Sequence, residues 1–146
     1  MKIRIKNCQR KITISKTKIS GLAKQVLNLK GVKKAELSIL FVGKARICAL
    51  NQKFRGIKQP TDVLAFSMRE GKDSQLHPEL LGDLVIYPEI AAQRAKDYST
   101  SLRFELYLYL VHGILHLLGY DDTQPKKYQA MKKEQQRILT KLNLRG

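Results

Sequence analysis

Two of the three histidines of this chain stand four positions apart, in the segment HGILHLLGYDD of residues 112–122. If this segment is helical, His112 and His116 project from the same face one turn apart, so both imidazoles can bind one metal ion. Histidines also occur as hydrogen-bonded residues of protein cores. The pair alone therefore allows two interpretations, a metal site or a polar pair in the core.

The residues that follow the pair favour a metal site. Gly119 can adopt a left-handed conformation, which ends a helix and turns the chain sharply. Asp122 can then return to the histidine face and supply a third ligand. The spacing HxxxHxxGxxD is that of the zinc site of metzincin proteases. Three protein ligands with an open coordination position are typical of catalytic zinc, whereas structural zinc usually has four ligands.

One residue argues against peptidase chemistry at such a site. In the HExxH motif of zinc proteases, the glutamate after the first histidine acts as the general base. Here that position is Gly113, which has no side chain to accept a proton. A peptidase of this type would need another base, and the sequence does not identify one. The similarity to metzincins is thus limited to the arrangement of the metal ligands.

The charge of the chain is strongly positive and unevenly distributed. Its 28 Lys and Arg residues against 12 Asp and Glu give a net charge of +16, with eleven basic residues and no acid in residues 1–35. This predicts a polyanion as the partner, because each neutralised phosphate releases counterions; the alternative is a lysine-rich solvated surface. No apolar run is long enough for a membrane span. Cys8 and Cys48 fit free thiols in a reducing cytoplasm better than a disulfide.

Hydrophobic patterning predicts the elements that position the candidate ligands. Strands are predicted at residues 3–7, 35–43, 63–67 and 82–87, and helices at residues 16–29, 45–54, 88–96, 101–119 and 126–142. The segment 101–119 alternates partly like a strand, but it is too long for one and is apolar on nearly all sides, which is typical of a buried helix. We therefore expect a single α+β domain over residues 1–146. It would have a small mixed sheet of about four strands flanked by helices, with a central buried helix that carries the histidines.

Three blocks of the sequence resemble the YbeY family of metal-dependent endoribonucleases, namely HGILHLLGYDD, LNQKFRGIKQPTDVLAF and LLGDLVI. The family has a His-Gly-x-Leu-His helix followed by Gly-Tyr-Asp-His, an arginine shortly before PTDVLSF, and a GD pair before the next strand. The resemblance extends from about Leu50 to Asp122. It implies an α+β fold and cleavage of single-stranded RNA. The implied roles are maturation of the 3′ end of 16S ribosomal RNA and ribosome quality control.

By position, the resemblance to the family implies that the metal ligands are His112, His116 and Asp122. Asp122 stands where the family usually has its third histidine, and Asp121 is the competing candidate because it aligns with the family's preceding aspartate. A carboxylate is an acceptable zinc ligand, so we expect one Zn²⁺ ion. A set of two histidines and one carboxylate also suits other divalent metals, such as iron(II), nickel or manganese.

The same resemblance makes Arg55 the active-site arginine, and a planar guanidinium is suited to a bidentate grip on phosphate. The alternative for Arg55 is a plain surface residue. Asp62 could orient Arg55, or it could cap the turn before the next strand. Tyr120 could stack on a base, although we favour packing against the core.

The candidate site residues and the resemblance to the YbeY family together predict a metallo-endoribonuclease in the cytoplasm. Its partners would be ribosomal RNA and the small ribosomal subunit, with no membrane partner and no small-molecule cofactor besides the metal. Arg55 would stabilise charge on the phosphate, and the basic segments would hold the RNA backbone. The alternatives are a metzincin-like zinc peptidase and a ribosome-associated RNA-binding factor whose metal is mainly structural. The sequence does not identify the general base, nor whether water or the RNA 2′-hydroxyl attacks.

Overall fold

The computed structural model describes residues 1–69 and 76–146. The elements of this part of the chain are β1 (Lys2–Asn7), α1 (Lys16–Leu29), β2 (Glu36–Phe41), α2 (Lys44–Arg55), β3 (Val63–Ser67), β4 (Leu80–Ile86), α3 (Glu89–Tyr98), α4 (Leu102–Leu117) and α5 (Pro125–Lys141). Every predicted strand and helix is present, with ends that differ by a few residues.

The four described strands form one mixed sheet in the order β1-β2-β4-β3. Strands β1, β2 and β4 are parallel, and β3 pairs antiparallel with β4. Parallel neighbours need a crossover connection, and α1 supplies it between β1 and β2. The prediction of an α+β fold with a small mixed sheet flanked by helices is confirmed.

Helix α4, which carries both candidate histidines, is enclosed by the rest of the fold. It packs against β3, β4, α1, α3 and α5. Buried side chains therefore occur on several of its sides, which explains why no single apolar stripe is visible in its sequence. The helix starts where the Ser101 hydroxyl accepts a hydrogen bond from the backbone N–H of Phe104 at 3.0 Å. The prediction of a central buried helix is confirmed.

Gly113 allows α4 to approach the sheet closely. A Cβ atom at this position would lie 2.8 Å from Cδ2 of Leu84 on β4 and 3.2 Å from Cγ2 of Val63 on β3. Because cores are packed nearly as tightly as organic crystals, a side chain here would require Leu84 and Val63 to shift or the helix to move away from the sheet. Position 113 therefore faces the sheet.

Gly82, in the LLGDLVI block, lies at an irregular point of the sheet. The register between β2 and β4 shifts between Glu36 and Leu37, opposite this glycine, and the φ angle of Gly82 is +147°. L side chains rarely adopt that conformation, and a Cβ atom would also clash with the backbone oxygen of Phe66 on β3. The glycine thus permits the close pairing of β3 with β4.

Helix α2 ends one residue later than predicted, so Arg55 is its last residue instead of the first residue of a loop. The helix stops at Gly56, which has a left-handed φ of 71°. Asn51 on the same helix is buried, and its Nδ2 donates a hydrogen bond to the backbone oxygen of Gln59 at 2.8 Å. A buried amide therefore ties the loop before β3 to α2.

Within residues 1–69 and 76–146, no helix has both the length and the hydropathy that crossing a bilayer requires. Cys8 is exposed and Cys48 is half-buried, and both thiols are free.

Candidate metal centre

The end of helix α4 turns the chain back toward the histidines. The backbone N–H of Gly119 donates to the oxygen of His116 at 3.0 Å, and that of Tyr120 donates to the oxygen of Leu115, also at 3.0 Å. These two bonds form a Schellman motif, in which the residue after the helix cap takes a positive φ. Gly119 does so, with a φ of 103°. The predicted glycine stop is therefore present, and it directs the next residues toward the histidine face.

Three side chains converge at this point. His112, His116 and Asp122 each offer one ligand atom, and these atoms lie within 4.8 Å of one another. The two Nε2 atoms are 3.1 Å apart, and Nε2 of His116 is 3.8 Å from Oδ2 of Asp122. The structure thus brings together the three ligands that the spacing predicted.

Hydrogen bonds on the far side of each ring decide where the imidazole protons lie. Nδ1 of His116 is 3.2 Å from the backbone oxygen of Tyr120, and Nδ1 of His112 is 3.0 Å from Oε1 of Gln135. The backbone oxygen can only accept, so Nδ1 of His116 carries the proton and its Nε2 presents a lone pair; the Gln135 amide can accept from Nδ1 of His112, which leaves Nε2 of His112 able to bind a metal. Metal-ligating histidines usually have such an outer partner, because it fixes the tautomer and orients the ring.

The two Nε2 atoms are 3.1 Å apart, close enough to share one proton or to bind one metal ion. Protonation of His116 is opposed by burial and then by the neighbouring His112, which together lower the pKa of His116 below its ordinary value despite the nearby Asp122. A neutral, metal-ready imidazole is therefore the favoured form. The donor set of two imidazoles and one carboxylate fits a divalent metal ion.

Asp121, the competing ligand candidate, has other partners. Its Oδ1 accepts a hydrogen bond from the backbone N–H of Thr123 at 2.6 Å, and its Oδ2 lies 3.9 Å from Nζ of Lys127. The hydrogen bonding from Thr123 is the main cause that lowers the pKa of Asp121. Asp121 therefore caps the turn, while the adjacent Asp122 faces the histidines.

Arg55 lies on the same cleft as the three candidate ligands. The cleft has a volume of about 890 Å³, and its walls come from the end of α2, from β3 and from the end of α4 with the following turn. Among the described residues, no ion pair or hydrogen bond engages the Arg55 guanidinium. Its charge is thus available to an anion in the cleft.

Asp62 does not orient Arg55. Its Oδ1 accepts a hydrogen bond from the backbone N–H of Val63 at 2.7 Å, and its Oδ2 pairs with Arg94 on α3. The turn-capping alternative is therefore what the structure shows. Burial opposes the charge of Arg94, but the hydrogen bond with Asp62 outweighs it and raises the pKa of Arg94. The guanidinium carbon of Arg94 lies 5.6 Å from the ring centroid of Tyr109 on α4. The Arg94–Asp62 pair therefore also contacts the helix that carries the histidines.

Tyr120 is half-buried and connects the turn to two helices. Nζ of Lys30 donates to its hydroxyl at 2.7 Å, and the same Nζ is 3.5 Å from Oε1 of Glu134 on α5. Tyr120 packs against the main core, as predicted. Its backbone oxygen holds His116, so this network supports the orientation of a candidate ligand.

Gln135 and Arg94 were not identified from the sequence. Gln135 lies in the run EQQR on a basic helix, and nothing in that run distinguishes it from its neighbour Gln136. Arg94 likewise resembles other exposed basic residues of an amphipathic helix. Both contact the metal-bearing helix only because α3 and α5 pack beside it.

Comparison with known proteins gives one consistent result. A family described as Endoribonuclease YbeY matches residues 4–143. Proteins named Endoribonuclease YbeY from Pelotomaculum thermopropionicum and Syntrophotalea carbinolica are each 38% identical to this chain; the first match covers 99% of both sequences, and the second covers 90% of this chain and 88% of the relative. A solution structure of a Thermotoga maritima protein matches with a TM-score of 0.60 and 26% identity, over 97% of this chain and 91% of that one.

The two adjacent aspartates allow a matched test of the third ligand. We expect Asp122→Ala to weaken metal binding by more than the roughly 10–100-fold that is typical when a hydrogen-bond partner of a metal ligand is lost. Asp121→Ala should change the metal affinity by no more than about twofold. Competition with a chromophoric zinc chelator measures the affinity, and elemental analysis measures the metal content. A loss confined to Asp121→Ala would assign the third ligand to Asp121 instead.

Gln135 and Gln136 provide a second matched pair. Gln135→Leu removes the acceptor for Nδ1 of His112, so we expect metal affinity to fall about 10–100-fold, while Gln136→Leu, on the exposed side of α5, leaves it unchanged. The same chelator competition measures both variants, with thermal unfolding of the metal-free proteins as a check on stability. Equal affinities in the two variants would show that Gln135 does not support the site.

Proposed function

The chain belongs to the YbeY endoribonuclease family, and on this premise we propose that it is a metal-dependent endoribonuclease that cleaves single-stranded RNA. The observation that carries the proposal is the convergence of His112, His116 and Asp122 in a cleft that also holds Arg55. We place its action in maturation of the 3′ end of 16S ribosomal RNA and in ribosome quality control. Residues 1–146 act as one domain.

The charge of the chain supports RNA as the substrate. The net charge of +16 would repel a cationic partner and attract a polyanion, and the acid-free segment 1–35 concentrates that charge. Contacts of lysine and arginine with phosphates position RNA without reading its sequence. We propose that the small ribosomal subunit, in the cytoplasm, presents this RNA.

The metal would be held by His112, His116 and Asp122, and we propose one Zn²⁺ ion. The carboxylate in the set makes iron(II), nickel and manganese the other candidates. When bound, such an ion supplies Lewis acidity, which lowers the pKa of water and polarises phosphoryl oxygens.

The chain's own residues prepare the site for this chemistry. Gln135 and the backbone of Tyr120 hold the two imidazoles with their Nε2 lone pairs toward the cleft. Arg55, which lines the same cleft, binds the scissile phosphate and stabilises the negative charge that develops on its oxygens. The cleft is open along one side, so a flexible single strand can enter with a phosphate between Arg55 and the histidines.

The two alternative functions are not favoured. A zinc peptidase of the HExxH type needs a glutamate at position 113, but this position is a glycine that faces Leu84 and Val63 of the sheet. A purely structural metal usually has four protein ligands in a closed site, whereas three ligands here border an open cleft.

Cleavage assays with and without metal test the proposal directly. We expect the purified protein to cleave labelled single-stranded RNA but not casein, and to lose this activity with a chelator, because the ligands His112 and His116 act only through the ion. His112→Ala and His116→Ala should each lose activity. His77→Ala, which removes the remaining histidine at an exposed position, should keep it.

Three results would contradict the proposal. Cleavage of RNA that resists chelation and is equal in the two histidine variants would rule out the metal mechanism. Cleavage of casein without cleavage of RNA would favour the peptidase, and binding of ribosomal RNA without any cleavage would favour the structural factor.

Arg55 can be tested separately from the metal. We expect Arg55→Ala to lower kcat by about 10²–10³-fold, because it removes a positive charge aimed at the transition state, while metal content stays the same. Arg55→Lys should recover part of the loss, since it keeps the charge without the bidentate fork. Arg103→Ala, at an exposed position at the start of α4, is the control. An unchanged kcat in Arg55→Ala would show that Arg55 is a plain surface residue.

A further inference from the structure

The sheet has a second face that the main core does not use. Residues on the inner face of the strands pack with α1 and α4, while alternate residues face outward toward α2. The strand register aligns the outward residues in rows across the sheet, and one row runs Arg4, Ser38, Asp83 and Phe66. Together with α2, this face forms a groove of about 450 Å³.

The groove combines an apolar floor with basic edges. Leu40, Leu50 and Val85 contribute apolar side chains, and Phe54 and Phe66 contribute two rings in edge-to-face contact with centroids 4.9 Å apart. Arg4, Lys6 and Arg46 also line the groove, and all three are exposed.

Phe54 is the exposed aromatic residue of this groove. Its side chain is 55% exposed although it lies on a helix beside the sheet. Nζ of Lys53 lies 5.3 Å from the Phe54 ring centroid, which adds another positive charge beside the ring. An exposed ring surrounded by cations is typical of proteins that stack nucleic acid bases on aromatic side chains and bind the backbone with Lys and Arg.

The groove is continuous with the metal cleft. Phe54 and Phe66 line both the groove and the metal cleft, whereas Arg55, the next residue on α2, lines only the cleft. A strand that leaves the metal site therefore passes over these two rings before it reaches the outer face of the sheet.

We propose that this sheet-face groove binds the stretch of single-stranded RNA next to the cleaved phosphodiester, with a base stacked on Phe54 and phosphates bound by Arg4, Lys6 and Arg46. The proposal rests on the nuclease function above. It assigns the groove as a substrate-binding subsite beyond the metal cleft.

The distribution of charge supports this orientation of the strand. Asp83 is the acid that lines the groove, and it lies in the middle of the sheet, between Ser38 and Phe66 in the row. A phosphate would be repelled there, whereas the N–H groups of a base can donate to a carboxylate. Phosphates therefore belong at the basic edges and bases over the centre. Duplex RNA hides the faces of its bases, so it cannot use the aromatic floor.

Removal of two groove charges tests the phosphate contacts. The probe is a fluorescent 2′-O-methyl RNA single strand of about 12 nucleotides, bound to the metal-loaded protein and followed by anisotropy. We expect Lys6→Ala with Arg46→Ala to weaken binding about tenfold and to reduce the slope of log K against log salt by about 1.4, or about 0.7 per phosphate. Lys96→Ala with Arg103→Ala removes the same charge from exposed positions on α3 and α4, outside the groove and outside segment 1–35, and should change both quantities by less than half as much.

Replacement of the exposed ring tests the stacking contact. We expect Phe54→Leu, which keeps an apolar side chain, to weaken binding of the single strand about fivefold or more and to leave binding of the matching duplex unchanged. Tyr98→Leu is the control, because Tyr98 is 67% exposed at the end of α3, outside the groove.

The outcomes separate this proposal from the proposed function. If the wild type cleaves RNA while the groove variants bind the probe as the wild type does, the groove proposal fails alone. The same conclusion follows if each control variant loses as much affinity as its groove counterpart. If the groove variants lose affinity as expected but the wild type cleaves no RNA, the groove binds single-stranded RNA, and its assignment as a nuclease subsite fails together with the proposed function.

Discussion

The contact between helix α4 and the sheet at Gly113 is the constraint on which the site depends. With only a hydrogen atom at position 113, the helix backbone lies directly against Leu84 and Val63. This contact sets the depth and rotation of α4, so the histidines one position before and three after the glycine project past the edge of β3 into a cleft. The same glycine stands where a zinc peptidase of this motif has its glutamate. Position 113 therefore both permits the close approach of α4 to the sheet and leaves the site without that general base.

Around that helix, each candidate ligand is oriented by a different part of the fold. Gln135 comes from α5 and holds His112, while the Schellman turn places the Tyr120 oxygen on His116. Lys30, which directly follows the last residue of α1, donates a hydrogen bond to the Tyr120 hydroxyl. The two Nε2 atoms thus lie 3.1 Å apart, close enough to bind one metal ion. The hydrogen bonds that orient the candidate ligands form when the chain folds, so the site needs little rearrangement to bind a metal ion.

The strong positive charge of the chain has a clear role beside such a site. A metal ion and Arg55 in a cleft attract one phosphate, but a long polyanion needs further contacts along its path. The outer sheet face supplies cations at its edges and aromatic rings in its centre, and it meets the cleft at Phe54 and Phe66. In the proposed function the mixed sheet has two roles: its inner face supports the helix that carries the histidines, and its outer face offers a surface to the RNA.

The amino-acid sequence by itself determined the order and type of the elements, the helical histidine pair, the glycine that ends the helix and the two adjacent aspartates that are candidates for a third ligand. These features depend on local spacing and backbone preference, which act within a few residues of each other. Only the tertiary structure decided which of the two adjacent aspartates faces the histidines, that Asp62 pairs with Arg94, and that Gln135 supports His112. It also revealed the groove that joins Phe54 to Arg4. The partners in these contacts come from separate elements, and no periodic pattern encodes them, because they meet only when the helices pack around the sheet.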